Sequence, residues 1–298
     1  MEYEVKGACI NLDISLLAGD IIVKKGKGKT LSVEFPDLRK GALEAFIDVD
    51  YSEDEELKIR EKKSGLTLET RGASDLILTL PDLPVKGTIQ LDKGDCIVEE
   101  SVAFTGKAEI RMGDMIFRKS LNGDLSARVV KGDLVINEMN GAMSAVTVNG
   151  DIIVRNGRLT AMNCKTVAGD ISVTGDFAPE QPMRAVSVSG DIHLKALHYE
   201  GDQMVTATSV NGDAAIEGAV PEEKKKTARV ENAMGGKGVF SVLKLVKNLS
   251  FTRGEGPQVE VCKKESKQEM NVEMVLNMLE EGRITAAQAE KLIRALKE

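Results

Sequence analysis

Aromatic residues are scarce in this 298-residue chain, with seven Phe, three Tyr and no Trp. Surfaces that stack sugars or bases need exposed rings, so the shortage counts against both carbohydrate platforms and single-strand nucleic-acid platforms. The two histidines, His193 and His198, have no nucleophile partner readable from spacing; the first sits at an outward strand position and the second in the following turn. The four cysteines, Cys9, Cys96, Cys164 and Cys262, are far apart and form no Cys-x-x-Cys pair, so they are expected as buried free thiols and not as zinc ligands. No window approaches the roughly 18 apolar residues of a membrane span, and the polar, charged opening at 1–7 does not read as an export signal. A cytoplasmic location is expected, with contact at the membrane surface left open. An excess of basic charge is missing too: the formal net charge of -7 gives no electrostatic reason to expect nucleic acid.

The whole sequence, 42% hydrophobic and 29% charged, has the composition of a chain that folds. Its strongest feature is a repeat. Gly-Asp recurs at Gly94-Asp95, Gly113-Asp114, Gly132-Asp133, Gly150-Asp151, Gly169-Asp170, Gly190-Asp191 and Gly212-Asp213, in steps of about 20 residues. One residue after each Asp stand Cys96, Met115, Leu134, Ile152, Ile171, Ile192 and Ala214; three after stand Val98, Phe117, Ile136, Val154, Val173, Leu194 and Ile216. Alternate residues of a strand share a face, so stacked coils would merge these pairs into one apolar interior. The fold class that follows is mainly β, a single-stranded parallel β-solenoid or β-helix. Val130, Val148, Val167, Val188 and Val210, three residues before the Asp, suggest a second inward column. Gly suits the positive φ of a corner and Asp can accept from a nearby backbone N–H, so the dipeptide reads as a corner device. The Gly-Gly-x-Gly-x-Asp run of calcium-binding β-rolls is missing.

Residues 1–90 read as a degenerate opening of the same structure, because Gly19-Asp20 precedes Ile21 and Val23 in the same pattern, and 91–220 as the regular coils. At position +2 the early coils carry Ile97, Ile116, Val135 and Ile153, outward and apolar, which calls for a cover: the N-terminal strands, the folded-back tail or a partner. The run 20–23 (Asp-Ile-Ile-Val), then 57–62 (Leu-Lys-Ile-Arg-Glu-Lys), 76–81 (Leu-Ile-Leu-Thr-Leu-Pro) and the Gly-Asp-Ile-x-Val coils resemble a bacterial adhesin-type domain of unknown function. That resemblance covers about residues 1 to 220. It implies a β-solenoid linked with cell-envelope proteins and stress regulons, and supplies no catalytic residue.

Composition changes after Pro221, where five charged residues form a hinge at 222–226, so 221–269 reads as a linker with an amphipathic capping helix. Val239, Val242, Leu243, Val246 and Leu249 fall at helical spacing. This segment could cap the solenoid, meet a partner or lie on a membrane surface. Residues 270–298 read as a helical hairpin: Val275 and Leu279 on its first helix, a capping box at Thr285 to Gln288, then Leu292, Ile293 and Leu296 on its second. The run 279–292 resembles the short C-terminal helical hairpins called SHOCT-like domains. A hairpin this small cannot bury its own apolar face and must dock.

Together these features imply no catalytic residue, cofactor, metal or small-molecule substrate. The expected function is a non-enzymatic scaffold or assembly protein that self-associates or docks on a protein partner. An envelope-stress regulatory or membrane-surface module is the alternative, and a carbohydrate-active β-helix enzyme the second alternative. The interaction residues expected are Val239, Leu243, Val246, Val275, Leu279, Leu292, Ile293 and Leu296.

Overall fold

Alternation at single-residue resolution builds the structure, a computed structural model that describes residues 1–38, 46–52, 54–62 and 75–229. On the strand Ile10–Ala18, Ile10, Leu12, Ile14 and Leu16 are buried while the residues between them are not. The same rhythm repeats in coil after coil and generates a parallel β-solenoid. Each coil has an approach strand before the Gly-Asp corner and a departure strand after it. The approach wall stacks Ile10–Ala18, Val85–Lys93, the later part of Val102–Met112, Leu125–Lys131, the later part of Leu134–Asn149, Gly157–Ala168, Met183–Ser189, Val205–Asn211 and Lys225–Arg229, all in parallel. The departure wall runs from Ile21–Lys25 through Cys96–Val98 to Ala214–Gly218. Strand pairing therefore continues through Arg229.

The inward side chains fill the space between the walls. Positions +1 and +3 after the aspartates are buried as expected except Ala214 in the last coil, which is half-buried; Met115, Leu134, Ile152 and Ile171 are buried completely. The column before the corner differs from the expected one. Val130, Val148, Val188 and Val210 are half-buried and Val167 is exposed. The inward position lies one residue earlier, at Ile110, Val129, Thr147, Thr166, Ser187 and Ser209. The corner adds one residue to the count between the two faces, so extrapolating the departure strand's alternation back through Gly-Asp lands on the wrong side.

Stack order departs from chain order at the N-terminal end. The coil at Ile10–Ala18 and Ile21–Lys25 lies between the Val85–Lys93 coil on one side and the strands Glu56–Glu61 and Leu76–Leu80 on the other. Beyond them the pairing turns antiparallel: Glu2–Glu4 with Thr30–Glu34, Thr30–Glu34 with Leu76–Leu80, and Ile47–Tyr51 with Glu56–Glu61. These strands close that end and spare it an open parallel edge.

Glu55 ties this cap together. Its carboxylate accepts the N–H groups of Lys6 at 2.8 Å and Gly7 at 2.6 Å and the hydroxyl of Tyr51, whose ring lies 4.8 Å from that of Tyr3. The backbone of Glu55 is left-handed, with φ 58°. The Tyr51 hydroxyl, then the two N–H groups, hold the carboxyl below its ordinary 4.5 against the opposing effect of desolvation, while burial and Glu55 push the Tyr51 phenol upward. A depressed carboxyl stabilises the fold above the unfolded value and loses that contribution as pH falls through the folded one. Glu55→Gln should therefore melt below the parent protein near neutrality, and the gap in Tm should narrow as pH drops below about 4.5; a gap constant with pH would contradict this.

Close coil contact explains one set of glycines. A Cβ on Gly132, which has φ 133°, would lie 2.1 Å from the Gly113 carbonyl oxygen. Gly28 has φ 81° with open space around it. Gly132→Ala should cost about 3 kcal/mol or more, and Gly28→Ala about 1 kcal/mol, in urea denaturation.

Candidate functional site

The corner is a cooperative device between coils. Each Gly N–H donates forward to the residue preceding the next Gly, as from Gly94 to Met112 at 2.9 Å and Gly113 to Lys131 at 2.9 Å. In a regular parallel ladder the next Asp N–H would return to the Gly carbonyl. Here that carbonyl is pressed against the Cα of the following glycine: a Cβ on Gly113 would sit 1.9 Å from Gly94 O. The aspartate side chain takes over the acceptor's place. Asp114 N donates to Asp95 Oδ1, Asp133 N to Asp114 Oδ1 and Asp151 N to Asp133 Oδ1, each at 2.8 Å. Asp170, Asp191 and Asp213 continue the chain at 2.7, 2.7 and 2.8 Å. The carboxylate was expected to satisfy a nearby backbone N–H, and the N–H it satisfies belongs to the next coil.

At the other end Asp95 N donates to Asp20 Oδ1 at 2.8 Å, across 75 residues of chain, and Asp20 N to Asp75 Oδ1 at 2.9 Å. Asp75 was missed in the sequence because Ser74 replaces the glycine. The signal that identifies it is Leu76 and Leu78, fully buried at +1 and +3. The last carboxylate, Asp213 Oδ1, accepts from the Arg229 guanidinium at 2.8 Å. In the later coils the displaced Gly carbonyls find hydroxyl donors: Thr147 and Thr166 to Gly150 O at 2.8 and 3.1 Å, Ser187 to Gly169 O at 3.1 Å, and Ser209 to Gly190 O at 2.8 Å. Those buried polar residues are thereby satisfied. Removing one carboxylate leaves a partly buried N–H unpaired. Asp133→Ala should cost about 1.5 to 3 kcal/mol, whereas Asp133→Asn, which keeps Oδ1, should cost less than about 1 kcal/mol; chemical denaturation of both variants checks the difference.

Outside this ladder, side chains capable of chemistry are dispersed. His193 faces outward in register with Ser172 and Ala215 and lies 3.1 Å from Glu217. His198 Nδ1 is 2.8 Å from Asp176 Oδ1, and the Arg158 guanidinium donates to Glu200 at 2.9 Å. These four line an open cleft of about 210 Å³ with Phe177 and Ala178, and no Ser, Thr or Cys nucleophile is among the lining residues. Burial pushes the thiols of Cys96 and Cys164 up to about 12, which keeps them protonated and unreactive; Cys9 is half-buried. Among the described residues no group of three or more His, Cys, Asp or Glu is placed to hold a metal ion, and no helix is long and apolar enough to cross a membrane.

The outward column at +2 is continuous. Ile77, Ile22, Ile97, Ile116, Val135 and Ile153 stand in register across six coils and are half-buried. Among the described residues the N-terminal strands do not supply the cover expected for it: the strands Cys96–Val98, Met115–Asn122 and Ile152–Val154 pack closely only against their ladder and chain neighbours. The tail residues expected to mediate interaction, Val239, Leu243, Val246, Val275, Leu279, Leu292, Ile293 and Leu296, lie outside the described residues, as does Cys262.

A family model described as Toastrack DUF4097 matches residues 9–239, and one described as a SHOCT-like domain matches residues 271–298. No curated protein matches the chain. Three crystal structures are similar. A putative adhesin from Bacteroides fragilis NCTC 9343 is 17% identical, with 77% of this chain and 95% of that one covered and a TM-score of 0.35. One from Parabacteroides distasonis ATCC 8503 is 15% identical, with 77% and 94% covered and a TM-score of 0.29. A third, from Parabacteroides merdae ATCC 43184, is 12% identical, with 78% and 95% covered and a TM-score of 0.26. None of these families or structures carries the name of an enzyme. With its stacked coils lying inside a match that spans well over half of its length, the chain belongs to the Toastrack DUF4097 family.

Proposed function

We propose that this protein is a non-catalytic scaffold, in which the solenoid is a stiff rod and the C-terminal hairpin at 270–298 mediates self-association or docking. The observation that carries this reading is the use to which the repeated acids are put. The corner aspartates, the most numerous candidates for carboxylate chemistry, each hold a neighbouring coil's backbone N–H or, at the end, Arg229. Their repetition is accounted for by stacking alone. A carbohydrate-active reading would need acid, base and aromatic groups converging in a groove, and the cleft lined by His198 offers paired charges without an exposed Phe, Tyr or Trp ring.

A solenoid stacks its repeats so that each touches only its neighbours, which gives a long surface of fixed spacing suited to organising partners. The segment 270–298 would complement it, because the helical spacing of Leu279, Leu292, Ile293 and Leu296 in the sequence gives it an apolar side that would need a second surface to bury it. Deleting 270–298 should leave the far-ultraviolet circular dichroism and melting of the solenoid intact while lowering the stoichiometry or removing a co-purifying protein. Size-exclusion chromatography with light scattering and pulldown on both proteins tests this. Unchanged stoichiometry together with unchanged partners would refute the role given to the hairpin.

A further inference from the structure

The departure wall carries three parallel columns on its outer face, because Asp, +2 and +4 alternate with the buried +1 and +3 residues. The middle column is the six-residue apolar stripe from Ile77 to Ile153. On one flank stand the corner aspartates. On the other, at +4, stand the basic Lys24, Arg118, Arg155 and Lys195, the acidic Glu99 and Glu217 and the uncharged Thr79, Asn137 and Thr174, so this column is net positive. Glu99 already lies 4.0 Å from Lys24 and 3.7 Å from Arg118. Each flank is two residues, about 6.6 Å, from the stripe, so the apolar column is centred between an acidic column and a net positive one.

We infer that this wall is a homodimer interface, and that the dimer two-fold axis runs along the stripe, parallel to the solenoid axis. This rests on the scaffold reading and names its first partner, a second copy of the chain. Charge selects the axis. A two-fold along the stripe reverses strand direction but keeps coil order, so every coil faces its own copy and the acidic column of each protomer opposes the net positive column of the other, with Lys24, Arg118, Arg155 and Lys195 set against aspartates and Glu99 and Glu217 the two unfavourable positions. The perpendicular choice, which would invert coil order, sets aspartates against aspartates and is penalised along the whole edge. The apolar stripe then meets itself, burying β-branched side chains that are otherwise half-exposed to water.

The size of the contact sets its strength. Four residues by eight coil steps is a footprint of about 13 by 38 Å, or about 500 Å² on each protomer before the long flanking side chains are added. Specific interfaces begin near about 600 Å² per partner, so a reversible dimer with a micromolar dissociation constant is expected.

Sedimentation velocity of the full-length protein through the micromolar range should show a monomer–dimer equilibrium. Ile116→Asp places two carboxylates opposite one another in the stripe and, with the far-ultraviolet circular dichroism of the folded chain retained, should weaken dimerisation about tenfold or more. Val167→Asp, on the exposed outer face of the approach wall, should leave it intact. The axis is read by bismaleimide cross-linking in a Cys9→Ser, Cys262→Ser background. Single cysteines in place of Ile77 and of Ile153 should each link to themselves; linking only when the two variants are mixed would overturn the parallel axis. A dimer insensitive to Ile116→Asp, or a protein monomeric throughout, overturns the interface. The scaffold reading is judged separately, because it fails only if deletion of 270–298 also changes neither stoichiometry nor partners.

Discussion

A carbonyl oxygen pressed against the Cα of the next coil is the contact from which the rest of this structure follows. At Gly113, Gly132, Gly150, Gly169, Gly190 and Gly212 a Cβ would fall 1.9 to 2.2 Å from the preceding glycine's oxygen. Only glycine permits that approach. The approach diverts the carbonyl from the ladder bond it would otherwise make, and the following Asp N–H is left without its ordinary acceptor. The carboxylate of the previous coil replaces it. Gly and Asp are therefore one device with two parts, each needed because of what the other does.

Because that device joins neighbouring coils, stability is shared along the stack. Each corner aspartate from Asp20 to Asp191 donates its N–H to one neighbouring coil and accepts from another, so an isolated coil has neither its polar bonds nor its apolar interior. The interior itself tolerates variety. Position -4 passes from Ile110 and Val129 to Thr147, Thr166, Ser187 and Ser209 without interrupting the stack, because the hydroxyls bond the same displaced carbonyls. The ends are treated differently. Antiparallel strands and the Glu55 network close one, and Arg229 supplies the donor to Asp213 near the other.

Function is then a matter of what the repeat leaves over. The aspartates, the most conspicuous residues in the chain, belong to the fold. What varies from coil to coil is the outer surface: an aliphatic stripe over the early departure strands that gives way to Ser172, His193 and Ala215, and a valine column on the approach wall of the later coils. Such columns lie outside the fully buried interior that the +1 and +3 residues fill.

From residue order alone one could read the parallel solenoid, the corner role of Gly-Asp, the buried +1 and +3 columns and the outward +2 stripe, since all depend on local alternation and a fixed period. Asp75 was hidden by the serine before it, and the inward column before the corner was misplaced by one residue, because neither the count through a bend nor a substituted corner is encoded in period alone. The adjacency of Asp20 to Asp95 and the insertion of the first coil between strands from later in the chain are non-local. They depend on which open strand edges meet when the excursion from 26 to 75 folds back, and many chain paths satisfy the same alternation. The sequence by itself determined what a coil is. Only the tertiary structure decided the order in which coils stack, because that order is set by backbone hydrogen bonds between strands that carry no mark of one another in the residues they contain.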